Sequence, residues 1–428
     1  MKRYEQYKDS GVAWIGKIPA HWETVKPKYT VFLQKGAKPQ ELTDEDNGNL
    51  PYLTMDVLRD RANKTTMYPT SVNDLVKVGN GDILVLWDGA NAGEVLFAKD
   101  GYLSSTMARF GFNTNRLDSR YWFYFLKGLE PILKEFAGGT TIPHLDSSKI
   151  MEEPYPIPSI DEQQAIVRYL DYKVAKIDKL IAENEAQVKE LEKYRTAVIS
   201  EVVTKGLNPD APMRDSGIEW IGQIPEHWAV KRIKYVGKAE NGLTYAPNDI
   251  CDDTEGTLVL RSSNIQNGKL AFDDNVFVRA VPDSLKVRKG DIIICSRNGS
   301  ASLVGKSALV EEDIDACFGA FMMRFRSNLN SKYIHFLLTA AISHYKQLFT
   351  TTTINQLTIG LINNIAMPLI ENITEQKVVV DYLDKKCADI DSAIKLLNDY
   401  VEQLKVYRTA LISEAVTGQI DVRDWREK

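Results

Sequence analysis

The sequence lacks the features that most function classes require. No run of eighteen apolar residues occurs in its 428 residues, which argues against a membrane-spanning helix. The first residues, MKRYEQYKDSG, run straight into polar sequence. They lack the apolar stretch of a signal peptide, so the expected location is the cytoplasm. Cysteine is scarce: Cys251, Cys295, Cys317 and Cys387 all lie in the second half, with no CxxC pair and no His at metal-ligand spacing. That pattern argues against a disulfide framework or thiolate zinc site and predicts reduced, buried or incidental thiols. A basic excess is missing too, since 53 Lys and Arg stand against 58 Asp and Glu for a net charge of −5. A free-standing nonspecific nucleic-acid binder is thereby disfavoured, although local basic patches can still meet DNA.

Catalytic signatures are equally absent. The sequence contains no GxxxxGK[ST] phosphate loop, no GxSxG and no HExxH. It has no FxGxG loop followed by an Asn-Pro-Pro-Tyr-type motif, and Asn208-Pro209-Asp210 is the nearest approach to the latter. Five histidines remain: His21, His144, His227, His335 and His344. His21 and His227 fall in matching Pro-x-His-Trp turns, where a structural hydrogen bond is the simpler role. No catalytic residue, metal site or cofactor is expected in this chain.

What is present is an internal duplication. DSGVAWIGKIPAHW from Asp9 and DSGIEWIGQIPEHW from Asp215 agree at ten of fourteen positions, 206 residues apart. EQQAIVRYLDYKVAKID from Glu162 matches EQKVVVDYLDKKCADID from Glu375 at an offset of 213, and LEKYRTAVISEVVT from Leu191 matches LKVYRTALISEAVT from Leu404 at the same offset. Between these blocks, 23–158 and 229–372 share only scattered features, such as Gly81-Asp82-Ile83-Leu84 with Gly290-Asp291-Ile292-Ile293. The organisation is therefore a first globular domain over 1–158, a long helix over 159–206, a second domain over 207–372, and a second helix with its tail over 373–428.

The matched blocks read as long helices. Leu170, Val174, Ile177, Ile181, Val188, Leu191, Val198 and Val202 alternate by three and four, with Asn184 and Arg195 in the same register. The copy runs Leu383, Cys387, Ile390, Ile394, Leu397, Val401, Leu404, Arg408, Leu411 and Ala415. A heptad repeat of this length predicts a coiled coil, and about forty helical residues span roughly 60 Å. The heptads leave the direction of pairing open; a pseudo-twofold relation between the halves makes it antiparallel. Asn184 is either a register device or a tolerated polar break. From Asp161 to Lys205 eight basic and nine acidic side chains alternate, as on a solvated or protein-facing surface rather than a DNA-groove helix. In the variable segments, Ile83–Trp87, Ile292–Cys295, Leu258–Arg261 and Leu50–Leu53 read as strands, and Tyr121–Lys134 and Lys332–Phe349 as helices. The fold class is α+β: two globular domains and two long helices forming an antiparallel coiled coil.

The DSGVxWIGxIPxHW block, the Pro156-Ile157-Pro158 to Glu162-Gln163 and Pro368 to Glu375-Gln376 helix starts, and the YRTALISEAVTG-like helix resemble the type I restriction-modification specificity subunit over essentially the whole chain. The resemblance implies two target-recognition domains held apart by an antiparallel helical pair, each reading half of a split, asymmetric DNA site. It implies two modification subunits docked on this scaffold to methylate adenine with S-adenosylmethionine, and motor-nuclease restriction subunits using ATP and Mg. Those cofactors belong to the partners. A specificity reader of another restriction class and a non-catalytic coiled-coil adaptor are the competing readings.

Candidate phosphate contacts are Lys35 and Lys38, Lys231, Arg232 and Lys234, and Lys286, Arg288 and Lys289, although any single lysine is more readily explained as part of a solvated face. Candidate base readers are Arg261 with Asn264 and Arg297 with Asn298, because Arg pairs with guanine and Asn with adenine. Thr140 and Thr141, Thr351 and Thr352 lie in small-residue loops suited to close approach. Arg59, Arg61 and Lys64 are further candidates in the first domain. Trp87 reads first as a core residue, with base stacking the alternative.

Overall fold

The computed structural model describes residues 2–59, 65–135, 137–138, 143–349 and 355–427. The chain divides into two compact units, Met1–Glu185 with Asn398–Lys428, and Ala186–Leu397. The division crosses both long helices, so it differs from the four consecutive segments expected above. Each globular domain packs on the near half of one helix and the far half of the other.

In the first unit four antiparallel strands, β1 (Val31–Lys35), β2 (Ile83–Leu86), β3 (Val95–Phe97) and β4 (Met107–Phe112), lie in the order β3-β2-β4-β1. The run Ile83-Leu84-Val85-Leu86 is apolar throughout because β2 is covered on both faces. Ile83 and Val85 join the core formed with helix α1 (Ser119–Glu135), whereas Leu84 and Leu86 join a smaller cluster with Leu53, Val78 and Leu103. Those last residues belong to a second sheet of three short strands. The expected 50–53 strand is confined to Tyr52–Leu53.

Helix α2 (Ile160–Lys205) is one uninterrupted element of 46 residues. The second unit repeats the plan with β5 (Lys238–Asn241), β6 (Ile292–Cys295), β7 (Ser307–Leu309) and β8 (Met322–Arg326), in the order β5-β8-β6-β7. Ile292 and Ile294 face the core shared with helix α3 (Ser331–Phe349), and Ile293 and Cys295 face the opposite cluster. Helix α4 (Ile373–Val416) closes the fold with 44 residues.

The starts of the long helices explain why the duplicated motifs travel together. Glu162, 7% exposed, accepts from His21 Nε2 at 3.0 Å and from the Trp22 indole at 3.3 Å. In the other unit Glu375 accepts from His227 at 3.0 Å and Trp228 at 2.9 Å. The buried Gln163, next to Glu162, donates to the Arg116 and Pro158 carbonyls and accepts from Asp118 N–H. Burying these groups is costly without partners, so each block needs the other. His21 and His227 thus have the structural role expected of them.

Within each unit the helical segments run antiparallel. In the first, Ile177 and Ile181 of α2 share a core with Val401, Leu404 and Leu411 of α4, and Arg408 donates to Asp178 at 2.5 Å. In the second, Val198 and Val202 of α2 share a core with Leu383 and Cys387 of α4, and Arg195 donates to Asp391 at 3.0 Å. Asn184 donates to the Leu180 carbonyl of its own helix at 2.7 Å, so its amide is spent locally rather than on a register contact. The tail returns to the first unit, where Asp421 N–H donates to the Lys2 carbonyl at 2.9 Å and Ile420 and Val422 are buried. Among the described residues no helix is long and apolar enough to cross a membrane.

Candidate nucleic-acid interface

In both units one edge of the central sheet gathers the same backbone frame. Beyond β1, Gly36 N–H donates to the Met107 carbonyl at 2.9 Å, and a Cβ here would meet Ser104 O at 2.2 Å. Beyond β5, Gly242 N–H donates to Met322 at 3.2 Å, and its Cβ would meet Phe318 O at 2.2 Å. Glycine is required because the two backbones touch.

Past β2, the N–H groups of Trp87 and Asp88 both donate to the Thr106 carbonyl, and Leu145 N–H donates to Trp87 at 2.9 Å. Past β6, Ser296 and Arg297 both donate to the Phe321 carbonyl, and Leu357 N–H donates to Ser296 at 2.7 Å. One frame thus carries unlike side chains: Lys35 where the other unit has Asn241, Asp88 for Arg297, Trp87 for Ser296, Thr106 for Phe321.

The side chains on this edge are ordered by one another. Lys35 Nζ lies 3.3 Å from Asp88 and 5.3 Å from the Trp87 ring centre. His144 donates from Nδ1 to Asp88 and accepts the Trp87 indole N–H at 2.9 Å. Trp87 is half-buried and packs against the hydrophobic core of the first unit, as its first reading expected, while its indole N–H is bonded to His144. In the second unit the Arg297 guanidinium stacks 5.4 Å over Phe321, whose ring is 60% exposed.

The other candidates are dispersed. Asn264 is fully buried, donates to the Ala271 and Asp274 carbonyls and accepts from Arg261 N–H; its expected contact with a base is corrected to a structural role. Arg261 is half-buried and paired with Asp274 at 2.8 Å. Asn298 is half-buried, donates to Ser262 Oγ at 3.2 Å and accepts from Ser300 N–H at 2.9 Å.

Lys231 pairs with Glu371 at 2.8 Å, and Lys286 with Asp315 at 3.0 Å. Arg232, Lys234, Arg288 and Lys289 are exposed, but these two clusters precede β5 and β6 and so lie at the strand ends away from Asn241 and Arg297. Lys38 is exposed just past Gly36. Arg59 ends a short helix and pairs with Glu94. Arg61, Lys64, Thr140, Thr141, Thr351 and Thr352 lie outside the described residues. The sequence reading missed Asp88, His144 and Phe321 as members of this edge. Aligning the two strand ends, with Leu86 equivalent to Cys295, would have found Asp88 opposite Arg297; His144 and Phe321 arrive from other segments of the chain.

Among the described residues no group of three His, Cys, Asp or Glu gathers as a metal site would need. Cys295, Cys317 and Cys387 are buried, and burial pushes the Cys317 thiol up to about 11.

The model of the family described as the type I restriction modification DNA specificity domain matches twice, over residues 19–190 and 225–402. The chain belongs to this family. A type I specificity subunit from Methanocaldococcus jannaschii, MjaVIII, is 28% identical over 425 residues, covering 95% of both chains. The EcoKI specificity subunit of Escherichia coli is 32% identical over 215 residues, 48% of this chain and 46% of that one. A solved chain from work on complex assembly of the type I R-M system shares the fold, with a TM-score of 0.66 at 14% identity over 94% of this chain and 99% of that one. The two matches of the specificity domain coincide with the two copies of the frame, so the variable edge of each sheet lies inside a specificity domain.

Proposed function

We propose that this chain reads DNA sequence for a type I restriction-modification enzyme and performs no chemistry itself. The observation that carries this is the repeated strand-edge frame, held by identical backbone bonds and furnished with different side chains. Two unlike readers on one scaffold suit a bipartite, asymmetric site, each unit taking one half. The long helices set the unread spacer, as dimer geometry sets half-site spacing in repressors, and their mixed-charge faces receive two modification subunits. Restriction subunits join that assembly in the cytoplasm. S-adenosylmethionine, ATP and Mg are bound by those partners. One covalent chain also raises the effective concentration at the second half-site once the first is held.

Co-expressing the chain with its modification subunits and mapping methylated adenines by sequencing tests this. A split, asymmetric motif is expected, and exchanging residues 23–158 for those of another family member changes one half of it. Methylation without a motif, or a change in both halves, refutes the proposal.

A further inference from the structure

We propose that in each unit a cation held on an aromatic ring at the frame edge is the residue that reads a guanine: Lys35 on Trp87 in the first, Arg297 on Phe321 in the second. This rests on the DNA-reading function proposed above and assigns its base-specific residues.

The two devices are not copies inherited with the repeat. Lys35 ends β1 and its ring comes from the residue after β2, whereas Arg297 follows β6 and its ring comes from the turn before β8. At the equivalent positions the other unit has Asn241 and Ser296, or Asp88 and Thr106, so neither pairing exists in both places. Two divergent domains therefore build the same arrangement from different strands on the same edge.

That arrangement has a physical use. A lysine or arginine side chain has a large rotamer entropy that binding must take up. A ring beneath the charge holds it by cation–π attraction and leaves its N–H groups pointing outward. The frame under each pair is rigid, because one carbonyl, Thr106 or Phe321, receives two N–H groups from the opposite turn.

Chemistry then selects the base. Arg297 is exposed, and among the described residues its guanidinium has no hydrogen-bond acceptor. Its forked donors match the adjacent O6 and N7 acceptors of guanine in the major groove. Lys35 spends one contact on Asp88, leaving further N–H groups for the same acceptors. Asp88, itself held by His144, is a positioning residue. A phosphate contact needs neither the ring nor the fixed placement.

The test uses the chain assembled with its modification subunits, with methylated adenines mapped genome-wide for the wild type and for R297Q, R297K, K35Q and F321A. R297Q is expected to relax one guanine position in one half-site, with discrimination falling on the order of 5- to 150-fold. The other half-site stays strict and so reports an intact assembly. K35Q does the same in the opposite half. R297K keeps the charge but not the fork and relaxes that guanine partly, and F321A weakens discrimination there without naming a new base. An unchanged motif, or a loss spread evenly over all sequences, overturns the assignment. A wild-type chain that directs no motif instead refutes the function on which it rests.

Discussion

Arg195 donates from Nε to the Asp391 carboxylate at 3.0 Å, and one repeat away Arg408 donates from Nη1 to the equivalent Asp178 at 2.5 Å. Both arginines occupy seam positions of the heptad. An arginine there looks like a break in the apolar stripe, yet it reaches across to the partner helix and sets the antiparallel register. The side chains of Arg195 and Asp391 are 25% and 32% exposed, so the pair is screened less than a surface bridge. A double-mutant cycle with R195A and D391A, followed by urea unfolding, should return a coupling of about 1 kcal/mol. A coupling near zero would mean that apolar packing alone sets the register.

Removing the carboxylate at the start of α2 is expected to cost more. E162A leaves the buried Trp22 indole N–H unpaired, and such an orphaned group costs roughly 1–3 kcal/mol. H21A, whose ring is half exposed, should cost less. The order of the two unfolding midpoints checks this, and H21A proving the more damaging would contradict the role given to Glu162.

Substitution of the frame glycines should be poorly tolerated. In both G36A and G242A the new methyl meets a backbone oxygen at 2.2 Å, and backbone cannot swing aside as a side chain can. Overpacking of this kind costs typically about 1–3 kcal/mol. Thermal melts of the two variants against G299A, where a Cβ meets nothing within 4 Å, isolate the clash.

His335 carries an acid dependence in the second unit. Burial lowers its pKa from 6.5 to about 4; the Ser307 bond and Asp384 oppose the shift, and Arg195 adds to it. The folded state resists the proton that the unfolded chain accepts, so its stabilising share is full above pH 6.5. It is lost as the pH falls towards 4, by at most about 1.4 kcal/mol per unit. Melting temperatures from pH 7 to 4.5 should fall further for the wild type than for H335Q. Parallel curves would assign the acid sensitivity elsewhere.

Lengthening the helices should alter spacing without altering sequence preference. One heptad adds about 10 Å at ~1.5 Å per residue, close to the rise of three base pairs. Because the helical segments pair antiparallel, matched insertions are needed after Glu185 in α2 and after Leu397 in α4. The methylated motif should keep both halves and gain about three spacer positions. A changed half-site would show that the helices do more than measure.

Much of this architecture was legible in the residues. The heptads of α2 and α4, the β2 and β6 runs and the repeat offsets gave helices, central strands and twofold organisation, because apolar periodicity reports burial directly. The interface was less legible. Asn264 has the composition of a base reader but lies at 0% exposure with its amide bonded to backbone, while Trp87 packs on the core as its type suggests and also carries the Lys35 charge over its ring. Residue type predicts what a side chain can bond, not which partner reaches it first.

From the sequence alone came the duplication, the helices, the missing catalytic motifs and the family resemblance, all written in local pattern and in the agreement between two copies. Only the tertiary structure decided that the helical segments pair antiparallel, that Glu162 and Glu375 bind the His-Trp turns, and that Lys35 meets Trp87 as Arg297 meets Phe321. Those facts depend on residues far apart in the chain arriving within a few ångströms, and no periodicity along one segment records which distant segment will lie beside it.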